Sequence, residues 1–254
     1  MVSHSGLRTG LFGPSTPAFS ARSSTTNLKS RPPLGRKSLV LACGQTYQTV
    51  SKKGTLLVEE YFYGFDRTRK HQLQSVTKSV ASILTGIALQ QGLLSSVDES
   101  VASFYPELAA EQDWDDRKRR MTIKHLLTMT SGFEGNAWRD KNATASAMYA
   151  SPDWIKFAVS RSVVAEPGRR FAYNGACLMV LSGILERASE MPVQDFAAQY
   201  LFTPLGIEDV TWRKSPSGSA YLGAGLWLKP RDLAKIGQLF LNKGHWQNQL
   251  PNHG

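Results

Sequence analysis

Residues 71–94, HQLQSVTKSVASILTGIALQQGLL, decide how the rest of the chain is read. Val76, Val80, Ile83, Leu84 and Ile87 recur at helical spacing, and Gly92 stands where a C-terminal cap is wanted. The stretch therefore predicts a helix with an apolar face, beginning near Ser75. Three residues apart, Ser75 and Lys78 fall on one side of it, close enough for an amine to approach a hydroxyl. In the first turn the Ser75 backbone N–H lacks an intrahelical acceptor, so it is available to an oxygen that gains negative charge. The pair reads either as nucleophile and base or as a capping serine followed by a solvated lysine, and spacing alone does not choose. Context favours the first. GTLLVEEYFYG, residues 54–64, is β-branched, aromatic and apolar between glycines, which predicts a strand just before the helix. Lys78 is also the one charge in an otherwise apolar helix, where an amine shielded from water is suited to act as a base.

The 254 residues carry 30 Lys or Arg against 20 Asp or Glu, a net charge of +10. This excess belongs to one end. Residues 1–58 hold eight basic side chains and no acidic one, and the remainder balances 22 against 20. A basic face for nucleic acid is not expected from that distribution. Residues 1–50, rich in Ser, Thr, Pro and Arg, read as a disordered or targeting-like tail, with residues 51–254 forming the domain. A transit peptide and a start codon placed too far upstream fit the tail equally. SLVLAC, ending at Cys43, is shorter than the apolar core of a secretory signal. No apolar run approaches the length of about 18 residues that marks a membrane span. The two cysteines, Cys43 and Cys177, imply no disulfide framework. The five histidines lack metal-ligand spacing, so neither a metal nor another cofactor is expected. No Gly-x-Ser-x-Gly elbow occurs.

SVTKSVASILTGIALQQGLL, MTIKHLLTMTSGF, EPGRRFAYNGA and GLWLKPRDLAKIGQLFLNKG occur in that order along the chain. Together they resemble the penicillin-recognising serine hydrolase superfamily: class C β-lactamase-like proteins, D-alanyl carboxypeptidases and esterases of that fold. The resemblance implies an α+β fold, with a helical domain beside an antiparallel sheet and flanking helices. It also implies that Ser75 is the acyl-accepting nucleophile, Lys78 its partner, and Tyr173 of FAYNGA a proton relay. Asn174 is the candidate for contact with substrate. Here the chain departs from the family's Tyr-x-Asn, because Gly175 stands in place of the usual Asn. The implied substrate is a small ester or amide, whether a simple ester, a β-lactam or a peptide-like amide. No oligomeric state is indicated.

The family's third element is Lys-Thr-Gly or His-x-Gly on a late strand. Lys52-Lys53-Gly54 precedes the nucleophile, Lys235-Ile236-Gly237 lies inside a predicted helix at 230–243, and His253-Gly254 follows that helix too closely. The resemblance therefore implies a C-terminally truncated domain with an incomplete sheet. An inactive homologue or binding module of the same fold stands as the alternative to a hydrolase. Elsewhere the pattern predicts a short helix capped by Thr122 and ending at Gly132, and another opened by Ser151 as cap with Pro152 at its first position. Two helices broken at Met191-Pro192 should carry Leu178, Leu181 and Leu185 in the core. His125 reads as structural.

Overall fold

The computed structural model describes residues 39–43, 46–52, 54–110, 114–136 and 143–246. Its centre is α7, Ala176–Ser189, in which every residue from Ala176 to Leu185 is buried. Such a helix has no polar face to give to water, so its neighbours must surround it. They are α1 (Thr77–Gln90), α4 (Ile123–Leu127), α6 (Trp154–Ser160) and α8 (Val193–Ala197). One approach is especially close. A Cβ on Gly183 would meet Ile155 Cγ2 at 2.7 Å and the Tyr105 hydroxyl closer still. That hydroxyl donates to the Val180 carbonyl at 3.2 Å.

Beside the helices lie two three-stranded antiparallel sheets. The first has the order β1 (Leu39–Cys43), β2 (Tyr47–Lys52), β3 (Thr55–Tyr61). Its register runs Leu39 to Lys52 and Tyr47 to Tyr61, with an irregularity at Val50/Ser51. The second has the order β4 (His71–Gln72), β6 (Leu226–Leu228), β5 (Thr211–Trp212). α9, Pro230–Leu241, packs on β1 and β2, and its Arg231 pairs with Glu59 of β3 through two hydrogen bonds of 2.8 and 2.6 Å. Among the described residues β3 pairs only with β2, and Leu57, Val58 and Phe62 are exposed along it. The architecture is α+β, as the resemblance implied. The remaining helices are short: α2 (Pro106–Ala109), α3 (Asp116–Arg119) and α5 (Ala143–Ala150).

Several local expectations need correction. β1 and part of β2 fall inside residues 1–50, assigned above to the tail: LVLAC, too short for a signal core, is long enough for a strand once β2 pairs with it. Residues 1–38 lie outside the described residues, as does His253-Gly254. In α1 the buried set is Thr77, Val80, Ala81, Leu84, Thr85 and Ala88. Val76 is left exposed, since the turn before α1 is 3-10 and rotates it off the apolar face. Ser151 does not cap α6. Asp153 does, accepting from Lys156 N–H at 2.9 Å, while Ser151 bonds Asp153's own backbone. α4 ends at Leu127, well before Gly132. The cap at Gly92 forms as predicted: at φ 72° its N–H reaches Leu89, and Leu93 N–H reaches Ala88, a Schellman closure.

Thr122 does cap α4, and His125 supplies the reciprocal half of a capping box. Thr122 Oγ1 accepts from His125 N–H at 3.4 Å, and His125 Nδ1 accepts from Thr122 N–H at 3.2 Å. Only a ring with a free Nδ1 lone pair can accept, so protonation breaks this contact. Burial, then the charge of Lys124, holds His125 below the ordinary histidine value, and burial followed by Arg69 does the same to His71.

Two outcomes are expected. Gly183→Ala gains up to about 1 kcal/mol of helix propensity but overpacks against Ile155 and Tyr105 at a cost of about 1–3 kcal/mol. Urea unfolding should show a net loss, and a stabilised variant would contradict the close packing. For the cap, a depressed folded pKa means that the stabilisation is full above the ordinary value of about 6.5 and is lost as pH falls through the lower folded value. His125→Gln keeps an acceptor at that position without titrating, so the loss of stability between pH 8 and pH 5 should be smaller than in the parent. His125→Ala should cost about 0.5–2 kcal/mol at pH 8. Equal pH slopes for parent and Gln variant would remove His125 from the account.

Candidate active site

Ser75 lies in the 3-10 turn Gln74–Val76, between the end of β4 and the start of α1. Leu73 N–H donates to Leu226 of β6 at 2.8 Å, which fixes the chain on the sheet side of the turn. Gln74 then takes φ 47°, a left-handed conformation uncommon for a residue with a side chain, and Thr77 Oγ1 bonds its carbonyl at 2.7 Å. This tight turn leaves Ser75 exposed at the mouth of the helix. Lys78, one turn on, donates to Ser75 Oγ at 2.9 Å. The helical spacing read from sequence therefore does bring amine and hydroxyl together.

Tyr173 reaches the same oxygen from elsewhere in the chain: its phenol lies 2.6 Å from Ser75 Oγ. The loop that carries it is fastened on both sides. Ala172 N–H donates to the Met129 carbonyl at 2.9 Å. Asn174 is 2 % exposed, donates through Nδ2 to the carbonyls of Glu134 and Gly135 at 2.9 and 3.2 Å, and accepts from Ala176 N–H at 2.9 Å. Both amide hydrogens are thus committed to the fold, so Asn174 is a loop anchor at the start of α7 and not the substrate contact expected above. Its burial aims its neighbour Tyr173 outward.

A participant the sequence reading missed is the Gly223 carbonyl, which accepts a short hydrogen bond from Lys78. Lys78 Nζ also sits 5.0 Å from the centre of the Tyr173 ring. Gly223 belongs to the loop 220–225 that leads into β6, and AYLGAGLW carried the signal: small residues crowded before a strand, where a backbone comes close to something. Burial raises the Tyr173 phenol, but hydrogen bonds from Lys78 and Ser75 and the Lys78 charge outweigh it and hold the group below the ordinary tyrosine value. The cluster is a hydroxyl between an ammonium and an acidified phenol. It suits removal of the serine proton and its return to a departing group. Among the described residues no group of His, Cys, Asp and Glu could hold a metal ion, and no helix is long and apolar enough to cross a membrane.

The beta-lactamase family profile matches residues 46–247. Monacolin J acid methylbutanoyltransferase of Aspergillus terreus is 29% identical over 157 residues, covering 56% of this chain and 38% of the relative. The 6-aminohexanoate-dimer hydrolase of Paenarthrobacter ureafaciens is 24% identical over 203 residues, covering 77% of this chain and 51% of the relative. Among solved structures, the octameric penicillin-binding protein homologue from Pyrococcus abyssi has a TM-score of 0.62 at 20% identity, over 79% of this chain and 53% of that one. The chain spans about half the length, or less, of the curated relatives it matches.

The electrostatics make one testable statement. Because Lys78 helps to hold the Tyr173 phenol down, Lys78→Ala should move its titration upward toward the ordinary value of about 10. NMR of protein labelled with ¹³Cζ-tyrosine, assigned by Tyr173→Phe, reads this directly. An unmoved titration would mean that Lys78 does not act on Tyr173.

Proposed function

The chain belongs to the beta-lactamase family, and on that premise we propose that it is a serine acyl-transfer enzyme acting on small esters or amides through Ser75. The observation that carries this reading is the convergence of Lys78 Nζ at 2.9 Å and Tyr173 Oη at 2.6 Å on one serine oxygen. Two proton-transfer groups on one exposed hydroxyl have no structural purpose that a single hydrogen bond would not serve. The relatives' names, a methylbutanoyltransferase and a 6-aminohexanoate-dimer hydrolase, support acyl transfer as the chemistry.

In the proposed cycle the Tyr173 phenolate, paired with the Lys78 ammonium, takes the proton of Ser75 Oγ as that oxygen attacks the carbonyl carbon. The Ser75 N–H, in the first turn, donates to the oxygen that becomes negative. The carbon–heteroatom bond breaks as the Tyr173 phenol returns the proton to the leaving alkoxide or amine. Water then attacks the acyl carbon, giving a proton to the Tyr173 phenolate, and the Ser75 Oγ–acyl bond breaks as that proton returns to Ser75 and the acid leaves. Lys78 keeps the phenol acidic, and the Gly223 carbonyl holds the ammonium in place. Gly175 presents no side-chain amide beside Tyr173, and Asn174 is turned inward, so nothing in this loop grips a substrate amide. That favours esters over β-lactams.

A serine-directed fluorophosphonate should label Ser75, located by mass spectrometry, and Ser75→Ala should abolish labelling. Lys78→Ala should slow it by about 10²-fold or more. Lys78→Arg should not restore it, because a planar guanidinium on a longer side chain does not reproduce the close contacts that Lys78 makes with Ser75 Oγ and the Gly223 carbonyl. p-Nitrophenyl butyrate should be cleaved faster than a chromogenic cephalosporin. Labelling that survives Ser75→Ala would end the proposal, an unlabelled parent would favour an inactive homologue, and faster cephalosporin turnover would reverse the substrate order.

A further inference from the structure

We propose that Tyr221 is a positioning residue of this site, a ring wedged between Gly175 and Gly223 that sets the two backbone segments holding Tyr173 and Lys78. The inference rests on the reading of Ser75, Lys78 and Tyr173 as the acyl-transfer machinery, and it assigns work to a residue outside that set.

The wedge is visible from both sides. A Cβ on Gly175 would lie 3.4 Å from Tyr221 Cζ and well inside the contact distance of its hydroxyl oxygen. A Cβ on Gly223 would collide with the same ring at Cε2, 2.5 Å away, and more closely with Cζ and the hydroxyl. Neither glycine is required by backbone conformation. Gly175 has φ −68° and ψ −22°, open to any residue, and neither it nor Gly223 is among the glycines of positive φ. What excludes a side chain at both positions is the space Tyr221 takes. Gly175 is two residues from Tyr173, and Gly223 O is the acceptor for Lys78, so one ring touches the supports of both proton-transfer groups.

The ring is itself held rigidly, which a positioning element needs. Tyr221 is 4% exposed, its N–H donates to the Arg213 carbonyl at 2.9 Å, and its carbonyl accepts from Trp212 Nε1 at 2.9 Å. Tyr149 and Trp154 meet it edge-on, with centroids 5.9 and 6.2 Å away. From α7, Ser182 Oγ donates to the carbonyl of the preceding Ala220 at 2.9 Å. Tyr221 thus carries the fixed geometry of β5, α6 and α7 to a site whose own residues are exposed or half-buried.

The test uses the full chain with Gly175→Ala, Tyr221→Phe and both together. The added Cβ collides with the Tyr221 hydroxyl, whereas Tyr221→Phe removes that oxygen and leaves Cζ at an ordinary 3.4 Å contact. Gly175→Ala should slow fluorophosphonate labelling of Ser75 by about tenfold or more, since small misplacements of reacting groups are costly. It should also move the Tyr173 titration toward that of free tyrosine. Tyr221→Phe in the Gly175→Ala background should return both readouts to the values of the Tyr221→Phe single variant, a coupling that independent sites do not show. A Gly175→Ala protein matching the parent, or a double variant with no restoration, overturns the inference. So does a double variant that regains folding but keeps the displaced titration, which would make Tyr221 a packing residue only. If Ser75→Ala leaves labelling intact, the acyl-transfer reading fails, and the Tyr173 titration still decides whether Tyr221 positions the loop.

Discussion

The constraint on which the structure turns is the complete burial of the first ten residues of α7. Ala176 to Leu185 are all buried, so helices α1, α4, α6 and α8 must close around them. The hydrophobic effect provides the drive, at roughly 25 cal/mol for each Å² of apolar surface removed. Specific contacts then fix how the neighbours sit. Gly183 lets Tyr105 and Ile155 approach the helix axis, and Ser182 reaches out to the loop before β6. One catalytic candidate is attached to this helix at its start: Tyr173 comes three residues before it, and Asn174, next to it, fastens the helix's first N–H.

From that centre the site is assembled by convergence of three segments remote in sequence. Ser75 and Lys78 arrive on α1 and the turn before it, Tyr173 comes from the loop into α7, and the Gly223 carbonyl comes from the loop into β6. Each segment is rigid for its own reason. The first is bound to β6 through Leu73, the second by the Asn174 amide, and the third by Trp212 and Arg213 of the strand region. Where the side chains converge, the charge of Lys78 is spent on lowering the cost of a phenolate, and burial alone would have done the opposite.

Chemistry of short range was legible in the amino-acid sequence. The 3.6-residue period placed Ser75 beside Lys78, since residues three apart in a helix are neighbours whatever surrounds them. Thr122 capping α4 and the Gly92 closure of α1 depend on a few adjacent residues, and each forms in the structure. The motif order in the chain pointed to the family whose profile matches residues 46–247. Even locally the reading slipped where two residues compete for one task, as with Ser151 and Asp153 at the start of α6. Both are good caps, and the backbone angle that chooses between them is set by packing.

Tertiary structure alone decided which of two adjacent residues faces the site. Tyr173 and Asn174 both bear polar groups suited to catalysis, and nothing in FAYNGA says which turns inward. The carbonyls of Glu134 and Gly135, about 40 residues away, supply the acceptors that draw the amide into the interior and leave the phenol to meet Ser75. The role of Gly223 was equally hidden, because a carbonyl oxygen belongs to every residue and becomes an ammonium acceptor only by position. The same holds for Gly175: the sequence showed an absent side chain, and only the packed Tyr221 ring shows what fills its space. Local pattern fixes which groups a segment offers, but burial and long-range hydrogen bonding select which of them remain at the surface to react.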